Sequence, residues 1–278
     1  MSGLVFAAIA PHGSIAIAEA CEPHERGLAA ATQEALQELG RRFARAQPDA
    51  TIVLTPHNVH VDGAFAVIVA AHLDGSLSEW TTQPIALECA VDRELALSCI
   101  VALVDADVPV VGVSFGGNDP ASAVAPMDWG TLIPLWYMGG RSNPAVPTVV
   151  VSPARDRPFA EHQRAGAALA RAAAASGKRV ALIASADHGH AHDPTGPYGY
   201  DAAAKRYDDQ VVELVHEGRL EELATWDAEF VERAKADSFW QLLMLEAALR
   251  TDGPRRCELL SYEAPTYFGM LCAAYEPE

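Results

Sequence analysis

A chain of 278 residues, 50% hydrophobic and 21% charged, can bury a large core, which excludes a stapled mini-protein and a wholly disordered polymer. Its 20 Lys and Arg against 37 Asp and Glu leave a net charge of −17, so nucleic acid and anionic membrane surfaces are disfavoured as partners. The five cysteines, odd in number and never spaced C-x-x-C, argue against a disulfide framework or a thiolate zinc site and place the protein in a reducing cytoplasm.

Residues 1–10 are apolar but lack a basic leading segment and run into Pro11-His12-Gly13, so they read as a buried first strand and not as a secretory signal. No run of about 18 apolar residues is free of charge or helix breakers, and a membrane span is not expected. In chain order, strands are predicted over 4–10, 51–55, 64–70, 108–114, 148–152 and 180–185, several apolar on consecutive residues, as strands buried on both faces are. Helical spacing falls between them, over 26–46, 90–106, 129–138, 159–176 and 202–217. The Ala-rich stretch 165–175 keeps Arg164, Arg171 and Lys178 for a wet face and reads as a close-packed helix.

Beyond Tyr200 the chain turns helical and more acidic, over 221–235 and 237–250, before a strand over 257–262 and a segment over 263–275. With no Pro/Gly/Ser linker and no internal repeat, the expectation is one α/β domain over 1–278. It has a central, mostly parallel mixed sheet flanked by helices, and a helical portion at about 201–250 packed on the same core.

In an open α/β sheet ligands sit beyond the carboxyl ends of the strands, so polar residues directly after apolar strands come first. His12 follows the first strand in Ala-Pro-His-Gly, and His57 follows the second in Thr-Pro-His-Asn, with His60 three residues on. Proline fixes the direction in which the backbone leaves each strand, and convergence of both imidazoles on one metal is the natural reading. Imidazole suits iron, zinc, copper and nickel alike, so the ion is left open. A third group, His188, His190 and His192, follows the 180–185 strand and offers a further ligand or a proton carrier. Their i, i+2 spacing puts them on one side of an extended segment, with one or two facing water. Gly112-Val-Ser-Phe-Gly116-Gly117 lacks the phosphate fingerprint of glycines opening a helix, and no Gly-x-Ser-x-Gly elbow is present.

Taken together, Ala-Pro-His12-Gly, Thr-Pro-His57-Asn, Asp128-Trp129-Gly130-Thr131 with Pro134-Leu135, and Asp187-His188-Gly189-His190 followed by Gly199-Tyr200-Asp201 span most of the chain. In order and spacing this set resembles the class III extradiol ring-cleavage dioxygenases of the LigB superfamily. The resemblance implies a non-haem Fe2+, with Zn2+ or Mn2+ as alternatives, held by two histidines and a carboxylate. It also implies a catechol or aminophenol ring opened with insertion of both atoms of O2. Carried over by motif, His12 and His57 are the ligands and His190 the acid/base.

Two positions depart from the family pattern. Where many members have Asp-His-Gly, this chain has Asp128-Trp129-Gly130, which removes a second acid/base histidine and leaves Trp129 as a wall of an aromatic pocket or a packed core indole. The family's glutamate ligand aligns with Ser238, a poor iron ligand. The adjacent Asp237 is therefore expected to supply the oxygen, with Glu246 and Glu232 as substitutes. Substrate contacts are assigned to His60, Trp129, His188 and Tyr267, the last within a hydroxyl-, acid- and aromatic-rich stretch over 261–270. The expected partners are a small aromatic substrate and O2, with a homodimer consistent with base rates and a related partner subunit, as in some relatives, left open. Two other readings stand beside this one: a non-catalytic binding protein similar to the Memo-type proteins, and a zinc-dependent hydrolase on the same histidines.

Overall fold

The computed structural model describes residues 3–78, 81, 84–116 and 119–278; Gly117 of the glycine-containing stretch lies outside the described residues. The apolar and amphipathic runs fold as β1 (Gly3–Ala10), α1 (Ala30–Ala46), β2 (Ala50–Leu54), β3 (Phe65–Ile68), β4 (His72–Ser76), β5 (Ala86–Ala90) and α2 (Arg93–Asp105). They continue as β6 (Val110–Val113), β7 (Val124–Pro126), α3 (Trp129–Tyr137), β8 (Thr148–Ser152), α4 (Phe159–Ala175), β9 (Arg179–Ser185), α5 (Ala202–Glu217), α6 (Ala228–Ala234), α7 (Phe239–Asp252), β10 (Arg255–Glu263) and β11 (Met270–Pro277).

Eight of the strands form a mixed sheet in the order β10-β11-β1-β9-β2-β8-β3-β6. Its centre, β1, β9, β2 and β8, is parallel throughout, whereas β11 and β3 join antiparallel on either side. Nearly every residue of these central strands is buried, which requires a helical layer on each face. Helices α4 and α7 pack on one another and on β1 and β9, while α1 packs on α3, β1, β10 and β11. The register aligns the carboxyl ends: Ala10 pairs with Ser185 on β9, and Leu54 pairs with Ala184 and with Val151 on β8. Whatever follows these strands is therefore delivered to one edge of the sheet.

Three differences from the sequence expectation have local causes. A second, three-stranded sheet, β5-β4-β7, was not expected; β4 buries only Leu73 and β5 only Leu87 and Cys89, and β5 takes Ala90 from the start of the predicted helix, which begins instead after Asp92 caps Leu95 N. The helix expected over 221–235 is split because Asp227 adopts an extended backbone and accepts from Glu229 N, opening α6 after a 3-10 turn. The segment after 263 contains β11, whose Ala- and Cys-rich run has no strand periodicity to read.

On α4, His162 is fully buried against the Phe65 ring of β3, at 4.8 Å between centroids, and its Nδ1–H donates to the Pro158 carbonyl at 3.2 Å. Burial pushes its pKa down to about 4. The folded protein thus leaves His162 neutral where the unfolded chain, titrating at 6.5, has taken a proton. The stability this provides is complete above 6.5 and is lost as pH falls toward 4, at most about 3 kcal/mol in all. His162→Leu is expected to flatten that stretch of the stability curve. Urea unfolding at about pH 7 and about pH 5 measures it, and the same pH slope in both proteins would exclude His162 as the cause.

Candidate metal centre and active-site cleft

Two residues beyond β1 and three beyond β2, the Pro11-His12 and Pro56-His57 turns bring their imidazoles together, with ring centroids 4.7 Å apart. The Nε2 atoms are 3.0 Å apart. Asp237, two residues before α7, places Oδ2 at 3.1 Å from His12 Nε2 and 2.9 Å from His57 Nε2. Three potential ligand atoms, from residues up to 225 positions apart in the chain, thus converge on one point. His12 and Asp237 are buried, and His57 is partly open to the solvent side.

Neighbouring groups define which way each ligand faces. Ser185, at the end of β9, donates its hydroxyl to the Gly130 carbonyl and so accepts from His12 Nδ1–H at 2.8 Å. With Nδ1 committed to Ser185, Nε2 is the ring nitrogen of His12 directed at the cluster. The His12 backbone N–H is anchored on Asp187 Oδ1 at 2.9 Å, two residues past β9. On the other side, Trp129 stacks on His57 at 4.2 Å and 28°. Asp128 ties this turn to α3: its carboxylate caps Thr131 N and accepts from Thr55, Asn58 and Thr131 side chains. Gly130 is required there, since a Cβ would fall 2.5 Å from Thr55 Oγ1 and 3.4 Å from His57 Cδ2. Arg155, three residues past β8, pairs with the remaining Oδ1 of Asp237 and lies over the Trp240 ring.

The electrostatics follow from burial and proximity. Burial opposes a charge on His12, but Asp187, Asp237 and Asp128 outweigh it and raise its pKa. Burial lowers that of His57, the neighbouring His12 adding to the effect. Burial also disfavours the Asp237 carboxylate, yet the hydrogen bonds from His12 and His57 hold it well below the usual range. Two imidazole nitrogens and one ionised oxygen within about 3 Å of each other form the donor set that a divalent transition-metal cation satisfies, and the residues present fit such an ion.

The cluster opens into a cleft of about 470 Å³. Part of its wall is built by the segment after β9: His188 N donates to Gly269 O, Gly269 N to Gly189 O and His192 N to Tyr267 O, with Tyr267 and Phe268 beside His190. His190 stacks on Phe268 at 5.4 Å, and its Nδ1–H donates to the His188 carbonyl at 2.7 Å, leaving Nε2 as the acceptor.

Family comparison agrees with this arrangement. Residues 6–270 match the family described as the catalytic LigB subunit of aromatic ring-opening dioxygenase. The chain belongs to the LigB family. A curated relative, Protein CA_C1420 of Clostridium acetobutylicum, is 21% identical over 255 residues, covering 91% of this chain and 53% of its own length. The chain thus spans about half the length of that relative. Among solved structures, the uncharacterized protein JW3007 from Escherichia coli K12 superposes with a TM-score of 0.63 at 16% identity, covering 97% of this chain and 99% of its own, a likeness of fold.

Within this LigB chain, the sequence-derived residues fall into two groups. His12, His57, Asp237, Trp129, His190 and Tyr267 lie at the cluster or line the cleft. His60 is exposed and is not among the cleft-lining residues. Fully buried His188 bonds through Nδ1 to Ser238 Oγ at 3.0 Å, and Ser238 continues to Tyr207 OH. Glu246 pairs with Arg250 two turns along α7, and Glu232 pairs with Lys235; neither joins the cluster. Of the three histidines after β9, His188 is buried and His190 lines the open cleft, while His192 bonds to Asp208 Oδ2 at 2.8 Å; Asp208, fully buried on α5, also accepts from Gly189 N and Tyr262 OH. Sequence reasoning took in Phe268 only as part of the aromatic-rich stretch over 261–270, and gave no role to Ser185, Arg155, Tyr198 or Glu25. Of these only Ser185 carried a signal, as the polar end of a buried strand.

Proposed function

We propose that this chain is a metal-dependent ring-opening dioxygenase acting on a catechol or an aminophenol, with both oxygen atoms of O2 entering the product and no external reductant consumed. The observation that carries the reading is the convergence of His12 Nε2, His57 Nε2 and Asp237 Oδ2 at the floor of an aromatic-walled cleft that also holds His190. His12, His57 and Asp237 would hold an Fe2+ ion, which would supply open coordination positions and redox chemistry to the ring and to dioxygen.

The chain's own groups do the rest. Ser185 and Asp187 hold His12 in the ligating tautomer and position. Trp129 and Phe268 offer apolar faces that receive a planar ring and exclude water from it. His190, its Nδ1–H committed to the His188 carbonyl, accepts a ring hydroxyl proton at Nε2 and returns it as the ring opens. The five cysteines, all free, support a reducing, cytoplasmic setting. No helix among the described residues is long and apolar enough to cross a membrane.

Protein purified without oxygen and loaded with Fe2+ is expected to take up one O2 per ring opened. An oxygen electrode with a panel of catechols and aminophenols makes the measurement. No uptake with any ring, from protein shown to hold iron, would overturn the assignment.

A further inference from the structure

The aromatic cleft has a charge pattern of its own. His12 and Asp187 lie at its buried floor, while half-buried Glu25 and Tyr198, 55% exposed, stand at its mouth. Among the described residues that line it, two are acidic and none is Lys or Arg. Arg26, next in sequence to Glu25, is exposed and is not a lining residue. Glu25 belongs to the turn over 22–28, which its carboxylate helps to close by accepting from Glu22 N at 3.0 Å. Tyr198 and Tyr267, centroids 6.3 Å apart, add ring faces that attract a cation.

Resting on the dioxygenase reading of the same site, we propose that the cleft selects rings whose side arm ends in a protonated amine over rings whose arm ends in a carboxylate. A carboxylate at the mouth meets Glu25 with no Lys or Arg among the described lining residues to offset the repulsion. An ammonium group meets Glu25 and the tyrosine faces. The net charge of −17 biases the approach of the two arms in the same direction.

The test uses catechols with one linker and three endings, ammonium, hydroxyl and carboxylate. Their kcat/KM is measured on the Fe2+-loaded protein, and their binding by calorimetry without oxygen. The ammonium arm is expected to exceed the carboxylate arm at least about tenfold, because attraction on one and repulsion on the other each shift affinity several-fold. The ratio is expected to shrink with added salt, to fall in Glu25→Gln and to reverse in Glu25→Lys. A carboxylate arm favoured or equal in the wild-type protein, or a ratio unmoved by both salt and Glu25→Gln, overturns the inference. Absence of turnover with all three arms defeats the dioxygenase reading instead, and the calorimetric ranking then still decides the selectivity.

Discussion

His12→Ala and His57→Ala proteins are expected to come out of anaerobic loading with little bound metal, whereas His190→Ala retains a full complement and loses turnover by about 10²–10⁴-fold. The difference follows from geometry. The first two substitutions each delete a nitrogen that lies within 3.1 Å of the other two ligand atoms. Among the described residues His190 joins no metal-ligating group, and its ring hydrogen-bonds to the His188 carbonyl. Asp237→Asn sits between these cases, since the amide keeps an oxygen but not the negative charge that the two imidazoles hold in place. Ser185→Ala, which frees the tautomer of His12 while leaving all three ligands, is expected to weaken metal affinity by about 10–100-fold. Elemental analysis of the variants beside their oxygen uptake separates the roles. Equal metal in His12→Ala, His57→Ala and His190→Ala would show that the cluster is not where the ion binds.

Much of this site was legible because its scaffold is the part of the fold with the plainest sequence signal. Strands β1, β2, β8 and β9 are buried on both faces, so they appear as unbroken apolar runs, and the Pro-His turns that end two of them mark the sheet edge directly. The small sheet left no such mark. In His72-Leu73-Asp74-Gly75-Ser76 only Leu73 is fully buried, and Gly75 lies so close under Met127 that a side chain would not fit. Strand β11 was hidden for the opposite reason: Met-Leu-Cys-Ala-Ala is buried all round, and such a run can be helix or strand until its neighbours decide.

Tertiary partners account for what the histidine spacing did not reveal. Asp237 reaches His12 across 225 residues of sequence, and only the approach of α7 to the ends of β1 and β2 brings its carboxylate to the two imidazoles as a candidate ligand. No spacing rule pairs His192 with Asp208, because the carboxylate belongs to a different element that closes over the loop. Glu25 stood just outside the helix predicted over 26–46 and carried no signal of its own; the helix starts later, at Ala30, and the turn before it is what brings an acid to the cleft mouth.

Gly166→Ala is expected to destabilise the protein by about 2–3 kcal/mol, lowering Tm by roughly 5–10 °C, and to loosen metal binding far from the substitution. On helix propensity alone the sign would be opposite, since Ala is favoured over Gly inside a helix by about 1 kcal/mol. Packing reverses it. Gly166 lies where α4 meets α7, and a Cβ there runs into the Met244 backbone carbonyl, which cannot turn aside as a side chain would. The helix that must move is the one that starts beside Asp237. Its first turn is tied to β9 by Gln241, whose Nε2 donates to Ser185 O at 3.1 Å and to Asp237 O at 2.9 Å. Displacing α7 therefore strains the link between the carboxylate ligand and the strand that orients His12. Calorimetric unfolding and metal titration of the variant measure the two effects together. A Tm at or above the wild-type value would show that α7 gives way freely, and that the position of Asp237 does not depend on this helix contact.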